Sequence, residues 1–441
     1  MFKQENRPRK HLVIILILAV LLIIGFVAIY YLSKSIDKDN NINIVPSPQT
    51  EQNKPSTDSS SSKSSLAEES TSSASNIDNI DPIRAEIEKM SLEEKVGQLV
   101  IVGVDGYENN EHSRMLIEKY HVGGFILFKK NLHDSKQMLA LLNSLKESNK
   151  VNKTPLFLSI DEEGGRISRM PKEFLKFPTN KKIGELNNSA LSYQIGSVIG
   201  EELKSFGFNM DFAPVLDINS NPKNPIIGDR SFGSEPGIVT KLGIQTMKGL
   251  QSQNIISVVK HFPGHGDTSI DSHKGLPRVD NDLERLNKFE LIPFSAAIEN
   301  KVDVIMLAHI LLPKIDAENP ASFSKKIITD ILRTDMNFNG VVITDDFTMG
   351  AIVKNYDIGE AAIKSIQAGS DIVLVCHGFD KQEAVIMSLL NAAQTGTISL
   401  DRIDQSVYRI LKLKQNYSLS NETIESVNTQ IINDKINEII K

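Results

Sequence analysis

The residues best suited to chemistry lie in one short stretch, Lys260 to His273, which contains three His, two Asp and one Lys within fourteen residues. It directly follows an apolar run, 255–259, that is typical of a buried strand. Two glycines and a proline show that the chain leaves this strand as a loop. Because α/β barrels build their active sites from loops that follow strands, the pattern predicts a functional loop.

Within this loop, Asp271 and His273 are separated by one residue. That spacing lets a carboxylate hold an imidazole, fix its tautomer and raise its basicity. An imidazole held in this way can act as both proton donor and proton acceptor near neutral pH. We therefore predict that His273 is a general acid/base and that Asp271 orients it.

A second carboxylate is needed on another strand, and Asp345 is the candidate because it ends the apolar run 340–345. A nucleophilic carboxylate facing a proton donor is the arrangement of retaining glycosidases. The adjacent Asp346 is assigned a structural role, since neighbouring residues at a strand end point in different directions.

Two alternatives remain for the His-rich loop. It could bind a metal ion, but its spacing matches neither a helical His pair nor a Cys/His structural site, and the adjacent Lys260 is a poor neighbour for a cation. It could also be a structural loop whose imidazoles bond to backbone carbonyls. We favour catalysis and predict neither a metal nor a cofactor.

The elements that must position these residues are eight short apolar or β-branched runs separated by segments with helical spacing. The runs are 97–104, 123–128, 155–160, 208–213, 256–261, 304–309, 340–345 and 371–375. They predict a single α/β domain with a (β/α)8 TIM-type barrel. A doubly wound open sheet is the alternative, but no phosphate-binding glycine fingerprint follows the first run.

Polar residues collect at the predicted carboxyl ends of these strands, which is where a barrel places its active site. They are Asp161, Asp211, Asp217, Lys260, His261, His309, Asp345, Asp346 and His377. Elsewhere, Ser91 with Glu94 predicts a helix-capping box, and Gly207 predicts a helix C-terminus.

The chain of 441 residues has a formal net charge of −6, which gives no indication of a nucleic-acid partner. Its single cysteine, Cys376, excludes an intrachain disulfide framework.

Residues 12–32 are uncharged and almost all apolar, and four basic residues precede them. They predict a transmembrane anchor with residues 1–11 in the cytoplasm and the rest of the chain outside the cell membrane. A cleaved signal peptide is the alternative. A Ser-rich stretch over 33–79 predicts a disordered linker. The catalytic barrel is predicted over 80–415, followed by a helical tail over 416–441 that docks on the barrel or, alternatively, mediates oligomerisation.

Several motifs together resemble the β-N-acetylhexosaminidase branch of family-3 glycoside hydrolases, over about residues 82–415. They are Met90–Leu99, Asp161–Arg166, Arg230–Gly233, the Lys260–Thr268 segment with Asp271–His273, and Thr344–Asp346. The resemblance implies a retaining exo-β-N-acetylglucosaminidase with Asp345 as nucleophile, His273 as acid/base and Asp271 as its partner. It also implies that the N-acetylglucosamine is bound by Asp161, Arg169, Arg230, Lys260 and His261.

The implied substrates are cell-wall glycans or muropeptides derived from peptidoglycan. For each of the five binding residues, a local salt bridge is the alternative role. A glycoside phosphorylase is an alternative activity, since a histidine acid/base carries no negative charge to repel phosphate. An inactive, glycan-binding surface protein is a third possibility.

Overall fold

The structure is a computed structural model that describes residues 81–440, which belong to one compact unit. Eight strands within these residues pair in parallel, each with its neighbours in chain order, and the eighth pairs with the first to close a barrel. They are β1 Val100–Gly103, β2 Gly124–Leu127, β3 Phe157–Ile160, β4 Met210–Asp211, β5 Ile256–Phe262, β6 Val304–Leu307, β7 Val341–Asp346 and β8 Ile372–Val375.

The helices surround this barrel. The α-helices span Pro82–Ile87, Leu92–Gln98, Glu111–Glu118, Ser135–Ser148, Asn180–Leu186, Ser189–Phe206, Pro236–Ser252, Leu283–Lys288, Ile292–Glu299, Gly350–Val353, Ile358–Ala368, Phe379–Gln394, Leu400–Asn416 and Thr429–Ile440. A π-helix spans Lys326–Asp335, and 3₁₀ turns span Lys129–Asn131, Asn149–Val151, Gly228–Arg230 and Ala321–Phe323.

The predicted TIM-type barrel is confirmed, since each of the eight apolar runs coincides with one strand of the closed sheet, with β5 and β7 extending one residue further. Almost every strand residue is buried, because the barrel interior covers one face of the sheet and the helices cover the other. The predicted capping box is also confirmed: the backbone N–H of Ser91 donates to Glu94, and that of Glu94 donates to the Ser91 hydroxyl. Gly207 ends its helix in the left-handed conformation, as predicted.

The prediction of an N-terminal membrane anchor as part of the fold requires correction. Residues 12–32, like 1–11 and 33–79, lie outside the described residues. Within 81–440, no helix is both long enough and apolar enough to cross a bilayer. The physical reason is that the surrounding helices are apolar only on the face that packs on the barrel. The fold is therefore a single barrel, and the predicted single-pass membrane location is not supported.

The C-terminal segment ends in a helix, Thr429–Ile440, that packs on the helix Ser189–Phe206 through the buried Ile432 and Ile436. Its Asn433 exchanges hydrogen bonds with the backbone at Glu173 and Leu175. The helix begins well after residue 416, where the tail was predicted to start.

At the amino-terminal end of β8, the fully buried Asp371 carboxylate joins several elements. It accepts hydrogen bonds from Arg333 at 2.5 Å, Ser406 at 2.7 Å, the Val342 N–H at 3.0 Å and Arg409 at 3.1 Å. Burial raises the pKa of Asp371, but the surrounding arginines lower it overall. The carboxylate is therefore ionised and ties β7 and β8 to the outer helices.

We predict that Asp371→Asn lowers the free energy of unfolding by about 3–5 kcal/mol, because the arginines lose their buried counter-charge. Urea denaturation measures this loss. Asp330→Asn is the control, since Asp330 is exposed on the π-helix that carries Arg333 and forms no ion pair with the residues described. It should change the free energy of unfolding by less than about 0.5 kcal/mol. Equal stability of the two variants would contradict the assignment.

Beneath the loop that follows β3 lies a cluster of three buried acids, Glu162, Glu202 and Asp211. One Asp211 oxygen accepts the Glu162 N–H at 2.9 Å, but the other, and both Glu202 carboxyl oxygens, have no hydrogen-bond partner among the residues described. Burial, and then repulsion within the cluster, raises the pKa of Glu202 and of Asp211 well above its usual range. Burial also raises the pKa of Glu162 to about 7.

A carboxyl group whose pKa rises on folding stabilises the fold below its unfolded-state pKa, and this stabilisation is lost as pH rises through the folded-state pKa. For this cluster the loss begins near pH 4.5 and continues to pH 7 or above. We predict that Glu202→Gln, which has no proton to lose, becomes progressively more stable than the wild type between pH 5 and pH 8. The gain grows by about 1.4 kcal/mol for each pH unit between the unfolded-state and the folded-state pKa of Glu202.

Thermal unfolding at several pH values measures this difference. Glu185→Gln, on the preceding helix, is the control, since its exposed side chain should give a difference that does not change with pH. A difference for Glu202→Gln that is equally flat would contradict the prediction.

Candidate active site

A cavity of about 340 Å³ opens at the carboxyl ends of the strands. It is lined by seven of the eight residues predicted for the site, namely Asp161, Arg169, Arg230, Lys260, His261, His273 and Asp345. The eighth, Asp271, contacts His273. The barrel therefore brings together residues that are up to 184 positions apart in the chain.

The Lys260 ammonium, only 2% exposed, is the central charge of this cavity. Its Nζ lies 2.7 Å from Asp161 Oδ1 and 2.7 Å from Glu163 Oε1. Burial lowers the pKa of Lys260, but attraction to these two carboxylates raises it overall. Burial raises the pKa of both acids, but attraction to Lys260 and Arg169 lowers the pKa of Asp161 overall. Attraction to Arg230 and Lys260 lowers the pKa of Glu163 to about 2.

Arg230 extends this network. Its guanidinium makes a two-point contact with Glu163, at 2.9 and 2.7 Å. Its Nη2 also lies 3.4 Å from His261 Nε2. Because the second nitrogen of His261 lies 2.6 Å from Asp217 Oδ2, the carboxylate fixes the proton on Nδ1 and leaves the Nε2 lone pair directed at Arg230.

The loop that follows β3 positions Arg169. Gly164 and Gly165 have φ values of 80° and 58°, which a side chain would strain, and they turn the chain back on itself. The backbone N–H of Arg169 then donates to the Glu162 carboxylate at 2.9 Å, and the guanidinium Nη2 of Arg169 donates to Asp161 Oδ2 at 3.3 Å. Arg169 and Lys260 thus hold Asp161 from two sides.

Asp345 and Asp346 have different surroundings. One Asp345 oxygen accepts the N–H of Asp346 at 2.8 Å, and the carboxylate lines the cavity. Burial raises the pKa of Asp345, but His309, His261, the Asp346 N–H and Lys260 lower it overall, so the group is ionised. The Asp346 carboxylate instead accepts bonds from Thr348 and from the N–H of Cys376, which supports its structural role.

His309 lies close to Asp345, and each of its ring nitrogens has a hydrogen-bond partner. Nε2 lies 3.0 Å from the carbonyl oxygen of Asp346, and Nδ1 lies 2.8 Å from the Ser322 hydroxyl. Burial lowers the pKa of His309 despite the nearby acids.

His273 lies at the rim, with 67% of its side chain exposed. Its backbone N–H donates to Asp271 Oδ1 at 2.9 Å, and its Nδ1 lies 3.2 Å from the same oxygen. One Asp271 oxygen therefore contacts both the backbone and the ring of His273. Nε2 is left available to a substrate.

Three residues of this network were not assigned site roles from the sequence: Glu163, Asp217 and His309. The signal for Glu163 was its position two residues after Asp161, and for the others their position after β4 and β6. Five of the predicted residues take part in buried or half-buried polar contacts, so salt bridging is part of their role. No group of three His, Cys, Asp or Glu residues in the described part of the chain is placed to hold a metal ion.

Comparison with known proteins agrees with this geometry. A family model described as the glycosyl hydrolase family 3 N-terminal domain matches residues 91–413. The β-hexosaminidase A of Pseudoalteromonas piscicida is 36% identical over 342 residues, covering 72% of this chain and 57% of that protein. The β-hexosaminidase of Nitrosomonas eutropha is 34% identical over 326 residues, covering 72% of this chain and 92% of that one. The chain thus spans little more than half of the first relative and nearly all of the second.

Solved structures show the same relationship. A family-3 β-N-acetylglucosaminidase from Paenibacillus sp. str. FPU-7 superposes with a TM-score of 0.75 at 40% identity, covering 79% of this chain and 68% of that one. A β-N-acetylhexosaminidase from Beutenbergia cavernae superposes with a TM-score of 0.70 at 28% identity, covering 74% of this chain and 99% of that one. The chain belongs to glycosyl hydrolase family 3 and is a glycoside hydrolase related to the β-hexosaminidases.

Proposed function

We propose that this protein is a retaining exo-β-N-acetylglucosaminidase that acts through a covalent glycosyl-enzyme intermediate. The observation that carries the proposal is the presence of two complementary groups at one cavity: the ionised Asp345 carboxylate and the Asp271-oriented imidazole of His273. A nucleophile and a separate proton donor are what double displacement at a glycosidic carbon requires.

Asp345 is proposed as the nucleophile. Four carboxylates line the cavity, and of these Asp161 and Glu163 both neutralise Lys260. The Asp346 carboxylate accepts bonds from Thr348 and the Cys376 N–H, whereas Asp345 forms no ion pair with the described residues and accepts one backbone hydrogen bond. The neighbouring positive charge and the Asp346 N–H keep it ionised, so it is ready to attack the anomeric carbon. The same groups would favour its departure when the intermediate is hydrolysed.

His273 is proposed to protonate the leaving oxygen and then to activate water. Its exposure at the rim suits a group that must meet the departing sugar and then the incoming solvent. The Asp271 carboxylate would stabilise the imidazolium form and keep Nε2 aimed outward.

Asp161, Arg169, Arg230, Lys260 and His261 are proposed to bind the terminal sugar. Their hydrogen bonds to one another leave them ordered before substrate arrives, so little freedom is lost on binding. Charged groups of both signs suit sugar hydroxyls and an acetamido group.

The sugar itself is proposed from the relatives, which are named β-hexosaminidase and β-N-acetylglucosaminidase. We further propose that the glycans are derived from peptidoglycan, as the resemblance of the motifs implies. Release of N-acetylglucosamine from cell-wall fragments, followed by chromatography, tests this substrate.

We predict that Asp345→Ala folds normally but loses roughly 10⁴-fold or more of its turnover, the scale typical of removing a nucleophile. A 5-fluoro glycosyl fluoride should label the wild type within a peptide that contains Asp345, as mass spectrometry would detect. Asp345→Asn is the matched control and should remain unlabelled, since it keeps the shape but not the charge. Labelling on Asp346 would contradict the assignment.

We predict that His273→Ala affects poor leaving groups far more than activated ones. The second-order rate constant kcat/KM should fall by about 10²–10⁴-fold for a disaccharide, and little for a 2,4-dinitrophenyl glycoside that departs without protonation. Asp271→Asn should show a smaller loss of the same kind. Equal losses on both substrates would exclude the acid/base role.

A further inference from the structure

The segment 269–276, which carries Asp271 and His273, is anchored to the rest of the protein at very few points. Internal hydrogen bonds join Asp271 to His273, Lys274 and Gly275. Within residues 81–440, its hydrogen bonds to other parts of the chain come from only two groups, the N–H of Ala351 and the ammonium of Lys354. Both belong to the chain that directly follows β7, the strand that ends in Asp345 and Asp346.

These two contacts bracket His273. The Ala351 N–H donates to the carbonyl of Ser272 at 2.9 Å, and Lys354 Nζ donates to the carbonyl of Lys274 at 2.8 Å. Ser272 is only 2% exposed, although its neighbour His273 is largely in solvent. The backbone on either side of His273 is therefore held against the short helix Gly350–Val353 and its C-terminal neighbour Lys354, and the His273 imidazole projects from it.

Gly350 allows the helix and the backbone of His273 to approach each other closely. A Cβ at Gly350 would lie 2.4 Å from the carbonyl oxygen of His273 and 3.0 Å from its carbonyl carbon. Both are backbone atoms, so a side chain here could not be accommodated by a rotamer change. The loop would have to move away from the helix and carry the imidazole with it.

The helix is itself fixed to the end of β7. The N–H of Met349 donates to the carbonyl of Asp346 at 3.0 Å, and the N–H of Thr348 donates to the Asp346 carboxylate at 2.9 Å. Asp346 is thus connected to the backbone of His273 by its hydrogen bonds to Thr348 and Met349 and by the close approach at Gly350.

We propose that Gly350 is a positioning residue that sets the distance between the proton donor and the nucleophile by seating the His273 loop on the helix after β7. Asp271 orients the ring, whereas Gly350 places the loop. This inference rests on the proposed roles of His273 and Asp345, and it adds a residue that has no side chain and supplies no catalytic group.

The test is the leaving-group dependence of kcat/KM in Gly350→Ala. We expect a loss of roughly 10-fold or more on a phenyl N-acetylglucosaminide, a fraction of the general acid contribution of about 10²–10⁴-fold, and less than about 3-fold on the 2,4-dinitrophenyl glycoside. A general loss of folded protein would lower both values equally. Equal losses would therefore overturn the proposal.

Gly275→Ala is the matched control in the same loop, because no atom lies within 4 Å of the position its Cβ would take and its φ is not left-handed. It should behave as the wild type on both substrates. Lys354→Met, an exposed change that removes the bond to Lys274, should shift the leaving-group dependence in the same direction as Gly350→Ala and covers the case in which Gly350→Ala fails to fold. If Lys354→Met had the leaving-group dependence of the wild type, this would contradict the proposed role of the contact between the loop and the helix.

A double-mutant cycle separates this inference from the function on which it rests. If Gly350 acts through His273, adding Gly350→Ala to His273→Ala should cause no further loss on the phenyl glycoside. Additive losses would overturn the inference while leaving the acid/base role intact. A His273→Ala variant without leaving-group dependence would instead overturn the proposed function.

Discussion

The active site depends on one buried ammonium. Lys260 has almost no contact with water and is stable as a cation only because Asp161 and Glu163 each lie 2.7 Å from it. Those two carboxylates are in turn held by Arg169 and Arg230. Each charged group offsets the desolvation penalty of the group it contacts, so the network is ordered as a whole or not at all. The network forms one side of the cavity, and Lys260 adds to the effect of His309, His261 and the Asp346 N–H in lowering the pKa of Asp345.

The loop after β3 places acids whose pKa values are shifted in opposite directions next to one another. Asp161 and Glu163 face cations and are ionised, whereas Glu162 points towards Glu202 and Asp211 and has a raised pKa. Alternation along an extended segment is enough to produce this difference, since neighbouring side chains point in opposite directions. One three-residue acidic run thus serves the polar cavity on one side and the interior on the other.

Much of this organisation could be predicted from the sequence because the barrel rule is local. A polar residue that directly follows a buried apolar run must lie at the catalytic end, and Asp161, Lys260 and Asp345 were all placed in this way. Asp271 and His273 were paired because a separation of two positions in a loop can bring their side chains together. What could not be predicted depends on contacts between loops: Glu163 meets Lys260 only because the β3 loop folds back, and the close approach at Gly350 depends on a helix 77 residues after His273.

The adjacent Asp345 and Asp346 are identical in chemistry but not interchangeable in structure. Asp346 is fixed by Thr348 and Cys376, and those bonds define the register in which β7 ends. A slip of the strand by one residue would preserve the local sequence of acids yet turn the nucleophile candidate out of the cavity. The register of β7 therefore determines which of two chemically identical carboxylates is tied to Thr348 and Cys376 and which is left in the cavity with a single backbone hydrogen bond.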